Sequence, residues 1–335
     1  MSTYLVSNSI DNNLLRTRRS PLPYSLSDRL VVGVASSALF DLEEADTVFN
    51  DEGERAYRAY QEKNLDVAFA KGVAFSFIRR LLSFNELASV EGGPLVEVIV
   101  LSRNDPDTGL RVMRSIASHG LDITRAVFME GKSPYAFIPA FNVALFLSGS
   151  DADVREAIAL GHPAGRVMPS TLVDDDDTDL RIAFDFDGVL ADDSSEQVMQ
   201  ASGLESFHAH ETANAVSSHN PGPLKEFLVK VSQIQALEVA KKEENKDFRK
   251  RLHVALVTAR NAPSHERAVQ TLKAWGVMVN DAFFLGGIDK GSVLRVLRPH
   301  IFFDDQASHL ASTSAVAPSV HIPFGLLNVI APDAT

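Results

Sequence analysis

The sequence predicts an α/β protein built on parallel strands, and three observations predict it. Short β-branched stretches alternate with longer helical ones, the pattern of βαβ units. The alternation breaks once, at "HPAGRVMPSTLVDDDDTD", and then resumes. The stretches on either side of that break can be laid over each other almost without gaps. At 335 residues the chain is long enough for about two domains by the usual prior of ~150 residues each.

Residues 1–27 are polar, with Arg16, Arg18, Arg19, Pro21 and Pro23, and are expected to form a flexible arm. They lack the apolar core and small-residue cleavage site of a secretory signal. An N-terminal α/β domain, 28–150, opens on the strand "LVVGVASSALF" (Leu30 to Phe40). A helical stretch follows from about Glu52 to Leu82. "PLVEVIVLSRN" reads as a strand with its exit turn, and "DTGLRVMRSIASHG" as a helix closed by Gly120. "ITRAVFM" and "NVALFLS" are short strands.

Residues 151–179 read as a linker, and the run of four aspartates in it as solvated surface rather than a metal site. A second α/β unit, 180–325, starts at "LRIAFDFDGVL". It carries a polar helical insert at about 194–250, then "LHVALVTAR", "SHERAVQTLKAWG", "AFFLGG", "KGSVLRVLRPH" and "IFFDDQ", with "SVHIPFGLL" as a last strand. Residues 326–335 are a tail.

Hydrophobic content of 45% and charged content of 23% are those of an ordinary globular protein. The net charge of −12 argues against nucleic-acid binding, which needs Lys and Arg against phosphates. The absence of cysteine excludes disulfides, thiolate metal sites and Cys nucleophiles. No segment approaches the ~20 apolar residues of a membrane helix. The expected setting is cytoplasmic, with no membrane partner.

Laying Val98 over Val254 brings Arg111 onto Arg267, Gly120 onto Gly276, Phe128 onto Phe284 and Phe146 onto Phe302. With a slightly different offset "VGVASSALF" lies over "AFDFDGVL". Asp185 then faces Ala35, Asp187 faces Ser37, Lys290 faces Pro134, and Asp304 and Asp305 face Ser148 and Gly149. Thr258 alone keeps a hydroxyl partner, Ser102. The N-terminal half is expected to be a degenerate copy of the same unit, kept for architecture, oligomer contacts or binding.

In the second half, strand ends carry Asp185, Asp187, Thr258, Asp304 and Asp305, and Lys290 opens a helix after a Gly-Gly turn. In an open parallel sheet such residues converge outside the carboxyl ends of the strands. Their types suit phosphoryl transfer: a carboxylate nucleophile, a second carboxyl for the proton, a lysine and a hydroxyl for the phosphoryl oxygens. Several carboxylates around one cavity need a divalent cation such as Mg²⁺.

"DFDGVL", "VTAR", "DKGSVL" and "FFDDQ", in that order, resemble the four motifs of the haloacid dehalogenase-like (HAD) superfamily. Over most of the chain, "ALFDLEEADTVF", "VEVIVLSRNDPDTGLRVMRSI", "FNVALFLS", "LRIAFDFDGVL", "GPLKEFL" and "RPHIFFDDQ" resemble cytosolic 5′-nucleotidase type I and its bacterial relatives. The arm and the tail past about Gly325 lie outside this resemblance. It implies a HAD-like, Rossmannoid parallel sheet with a small helical cap. It implies Asp185 as nucleophile, Asp187 as general acid and then base, and Thr258 and Lys290 on the phosphoryl group. Mg²⁺ would be held by Asp185, the Asp187 backbone carbonyl, and Asp304 or Asp305. The other member of that last pair would act through water or orient Lys290.

The insert is expected to be the cap, with "GPLKEFLVKVSQIQALEVAKK" as its main helix. His208, His210 and His219 are expected as solvated lid residues rather than metal ligands. Candidate substrate contacts are Phe207, Arg260 of "VTAR", and Ser102, Arg103 and Asn104 of "SRNDPDTGLR". Against the base-reading role of Phe207 stands simple packing of the lid; against that of Arg103 and Asn104 stands a turn before a helix N-cap. The leading expectation is Mg²⁺-dependent hydrolysis of nucleoside 5′-monophosphates. The alternatives are a HAD phosphatase for another small phosphate, such as a sugar phosphate, and a nucleotide-binding or scaffold protein without turnover. A homo-oligomer contact through the N-terminal half is open.

Overall fold

The computed structural model describes residues 24–89, 92–175 and 177–328; most of the expected arm and the end of the tail lie outside them. The N-terminal half contains β1 (Leu30–Val34), α1 (Ser36–Leu39), α2 (Glu43–Lys63), α3 (Phe75–Ser83), β2 (Val96–Ser102), α4 (Pro106–Ser118), β3 (Arg125–Phe128), β4 (Leu145–Ser148), α5 (Asp151–Ala159) and β5 (Ala164–Val167). The C-terminal half contains β6 (Leu180–Phe184), α6 (Ser194–Ala213), α7 (Lys225–Glu244), β7 (Leu252–Thr258), α8 (His265–Ala274), β8 (Asp281–Phe284), α9 (Lys290–Leu297), β9 (Ile301–Asp304), α10 (Ala307–Thr313) and β10 (Ser319–His321).

All ten strands join one sheet, in the order β3-β2-β1-β4-β5-β10-β9-β6-β7-β8. Read outward from the middle, the two halves have the same strand order. Every pairing is parallel except the central one, where Val320 of β10 pairs antiparallel with Val167 of β5. That seam turns one half over relative to the other, so their strand ends point to opposite rims. The inner strands are largely buried on both faces and most carry continuous apolar runs, as central parallel strands do, whereas the edge strands β3 and β8 are only partly buried.

The halves share finer features. Both α2 and α6 leave helical geometry once, at Gly53 (φ 82°, ψ 179°) and Gly203 (φ 78°, ψ 179°). Isolated bridges Phe40–Lys71 and Ala191–Pro221 stand at matching places.

Several expectations are corrected. The stretch from 151, expected as a linker, carries α5 and β5. "AGRV" is too short to read as a strand alone and is one because β4 and β10 flank it. The acid run is not merely solvated: Asp174, Asp175 and Asp177 lie 2.6, 2.9 and 3.3 Å from the guanidinium of Arg80, which is buried in α3. The helix expected from Glu52 to Leu82 is two helices. Gly72 between them sits so close to Phe40 that a Cβ would lie 2.8 Å from its backbone. Finally, α7 is not a lid helix. Phe227, Leu228, Val231 and Ile234 bury its apolar face in the main core with β6 and β7, so of the expected cap only α6 and its flanking loops are left outside that core.

Among the described residues no helix is long and apolar enough to cross a membrane.

Candidate active site

Because β6, β7 and β9 run parallel, the loops that follow them share one rim. Asp185, Asp187, Thr258, Asp304 and Asp305 therefore come together, and Lys290 at the first turn of α9 reaches the same place. The backbone N–H of Asp185 donates to the Phe303 carbonyl at 2.8 Å, continuing the ladder one residue past β6. Its side chain is buried. Oδ1 accepts from the Phe186 N–H at 2.7 Å and Oδ2 from Lys290 Nζ at 2.5 Å.

Lys290 Nζ also donates to Asp304 Oδ2 at 2.7 Å. Burial alone would favour the neutral amine, but the charges of Asp185 and Asp304 outweigh it and raise its pKa. Asp304 accepts further from the Gln306 N–H at 2.8 Å, and His309 Nδ1 lies 3.1 Å from its Oδ2. Burial pushes this carboxyl up, yet Lys290 and His309 bring it below its usual range.

Asp305 is the reverse case. Its Oδ1 is buried with no partner among the described residues. Burial, then the charges of Asp185 and Asp304, raise its pKa to about 9. Burial also raises Asp185 to about 6, against the pull of Lys290. Three buried carboxylates lie together and the one ammonium among them, Lys290, bonds only Asp185 and Asp304. Gly188 presses directly on Asp305: at φ +70°, a Cβ there would lie 2.4 Å from Oδ2. Ligand atoms of Asp185, Asp304 and His309 fall within 4.8 Å of one another. An orphaned buried carboxylate oxygen among hard oxygen donors fits a divalent cation.

Asp187 is held differently. Arg260 forks onto it, Nε to Oδ2 at 2.7 Å and Nη2 to Oδ1 at 2.6 Å. The guanidinium is buried between the rings of Phe186 and Phe207, at 5.0 and 5.2 Å from their centroids. Its Nη1 donates to Glu211 of α6 and to the Ser264 carbonyl. Glu211, also buried, accepts from Ser195 Oγ at 2.7 Å and Arg267 Nη1 at 2.8 Å, and His219 Nε2 lies 3.1 Å away. Burial would raise Glu211, but His219, Arg260 and Ser195 hold it far below the usual carboxylate range.

Thr258 ends β7, fully buried, its Oγ1 accepting from the Arg260 N–H at 3.3 Å. Of the proposed substrate contacts, Arg260 is engaged with Asp187 and Glu211, and Phe207 packs under it. Ser102, Arg103 and Asn104 are not brought to this rim. Ser102 ends β2 and the other two follow it, on a strand that the antiparallel seam turns the other way, and Arg103 is tied to Asp153 and Glu156 of α5. Of the three histidines, His219 is buried beside Glu211, not solvated. Neither metal-competent cluster among the described residues includes His208, His210 or His219. Reading the motifs alone misses His309, which α10 brings back to Asp304, and Glu211. The one sequence signal for Glu211 is that the repeat sets it opposite Gln61.

Residues 22–329 match a family model described as 5′-nucleotidase. The match reaches beyond the expected limits of the resemblance at both ends. Human cytosolic 5′-nucleotidase 1B is 32% identical over 300 residues, covering 87% of this chain and 48% of that protein. The chain thus spans about half the length of this curated relative. A solved structure, histidinol dehydrogenase from Elizabethkingia anophelis, aligns over 83% of this chain and 74% of its own at 10% identity. Its TM-score of 0.19 is too low to inform the fold.

Proposed function

The chain belongs to the 5′-nucleotidase family, and from that premise we propose that it hydrolyses nucleoside 5′-monophosphates to nucleoside and phosphate, with Mg²⁺, in the cytoplasm. The observation that carries the proposal is the buried set of Asp185, Asp304 and Asp305 around Lys290, with Asp187 at its edge.

In the proposed reaction a carboxylate oxygen of Asp185 attacks phosphorus as the bond to the 5′ oxygen breaks. The leaving oxygen takes its proton from Asp187. A water then attacks the aspartyl-phosphate, giving its proton to Asp187 and freeing Asp185 and phosphate. Lys290 and Thr258 hold the phosphoryl oxygens. Asp304 and His309 orient Lys290. Asp185, Asp305 and the Asp187 carbonyl would hold Mg²⁺, which supplies positive charge for the phosphoryl oxygens when bound.

The N-terminal half, on this reading, is a disarmed copy of the same unit. Its equivalent rim offers Ala35, Ser37, Ser148 and Gly149, with no carboxylate at any of these positions. The test is phosphate release from a panel of nucleoside monophosphates and sugar phosphates, with and without Mg²⁺. Mg²⁺-dependent release from nucleotides is expected. Preference for sugar phosphates would replace the substrate class, and no release at all would replace the activity.

A further inference from the structure

The two halves keep one arginine arrangement and differ in what surrounds it. In the N-terminal half Arg111 donates from Nε to the Val67 carbonyl (3.0 Å) and from Nη1 to Gln61 (3.1 Å). In the C-terminal half Arg267 donates from Nε to the Ser217 carbonyl (2.9 Å) and from Nη1 to Glu211 (2.8 Å). Gln61 and Glu211 each stand two residues before the end of their helix, α2 or α6. The Phe69 N–H donates to Ser115 as the His219 N–H donates to Thr271. A neutral amide thus meets every demand of this scaffold. The buried negative charge of Glu211 is not needed to satisfy the arginine of α8.

The further partners of Glu211 are missing from the first half. Ser195 corresponds to Ala45, His219 to Phe69, and Arg260 to Asn104. Asn104 and Arg260 sit alike, each N–H donating to the hydroxyl two residues before it, Ser102 or Thr258. Ser37 stands where Asp187 does. Carboxylate, guanidinium and motif aspartate therefore occur together or not at all. A buried carboxylate is costly unless paired, and of the partners peculiar to Glu211 only Arg260 also holds Asp187.

We propose that Glu211 is a positioning residue for proton transfer: acting through Arg260, it fixes the plane and place of the Asp187 carboxyl. The fork fills two of the four lone-pair sites on that carboxyl and leaves two for a leaving oxygen or a water. Glu211 lies on the cap helix, so the cap is tied to Asp187 through one guanidinium. This inference rests on the reading of Asp187 as the group that moves the proton.

The test uses leaving groups in the full-length protein. Transfer to Asp185 needs a proton when a nucleoside leaves and almost none when 4-nitrophenolate leaves. Glu211→Gln and Arg260→Asn install the residues that the first half carries, and thermal melting reports whether each variant folds. For both, kcat/KM with a nucleoside monophosphate is expected to fall about 10- to 100-fold, less than the ~10²–10⁴-fold that general acid catalysis contributes, because the acid itself stays in place. With 4-nitrophenyl phosphate it should change less than about 3-fold. The double variant should match Arg260→Asn alone, because the two residues act in series. Equal losses on both substrates, no loss, or multiplicative losses would overturn the inference. Asp187→Asn separates the two readings. If it shows the selective loss and Glu211→Gln does not, only the inference fails; if Asp187→Asn is not selective, the role of Asp187 fails and the inference with it.

Discussion

Asp304 and Asp305 are neighbours in sequence and opposites in environment. Asp304 accepts from Lys290 and the Gln306 N–H with His309 beside it, whereas Oδ1 of Asp305 is buried without a partner among the described residues. The sequence leaves open which of the pair meets a metal. On the proposed reading Asp304 orients the lysine and Asp305 meets the cation.

Asp305→Asn is therefore expected to weaken Mg²⁺ binding at least about 10-fold, measured by titration calorimetry. Asp304→Asn should lower activity more than it lowers Mg²⁺ affinity. The sign with pH follows from the Asp305 pKa, raised to about 9. The metal competes with a proton there, so affinity should tighten as pH rises from 6 to 9. Asp305→Asn should flatten that dependence.

Gly188→Ala should damage the same site by contact. The glycine has φ +70°, and the added Cβ would overlap the Asp305 carboxylate. Left-handed geometry alone costs a non-glycine residue about 1–2 kcal/mol. Denaturant unfolding should show a loss of at least that size, with Mg²⁺ affinity falling as well.

Away from the active site, His300 predicts acid sensitivity. It is buried, its Nδ1 accepts from the Arg181 N–H at 3.0 Å, and Arg80, Arg181, Asp175 and Asp177 surround it. Burial first, then the two arginines, lower its pKa to about 4, against the aspartates. The folded pKa lies below the ordinary value of about 6.5. As pH falls the unfolded chain takes the proton first, so this stability is complete above about pH 6.5 and is lost on the way to about pH 4. The loss is at most about 3 kcal/mol. Urea unfolding across that window should show it, and His300→Gln should remove it.

The C-terminal half was legible because its strands are apolar runs ending in motif residues. "IAFDFD" and "IFFDD" announce both a strand and its rim. Local pattern could not announce the seam: β5 is four residues long, and only the antiparallel pairing with β10 turns Ser102, Arg103 and Asn104 away from Asp185. Nor could it place α7, because an amphipathic helix shows an apolar face without showing what covers it. Glu211 has no motif of its own. It stands out only against Gln61, once the halves are laid over each other.

Asp185 is proposed to attack phosphorus in a Mg²⁺-dependent reaction. The most direct measurement is phosphate release from a nucleoside 5′-monophosphate by the protein and by Asp185→Asn, each with Mg²⁺ and with chelator. Release is expected from the unaltered protein with Mg²⁺ alone, falling at least about 10³-fold in Asp185→Asn. Retained activity in Asp185→Asn would rule out Asp185 as the nucleophile, and equal release under chelator would rule out the metal.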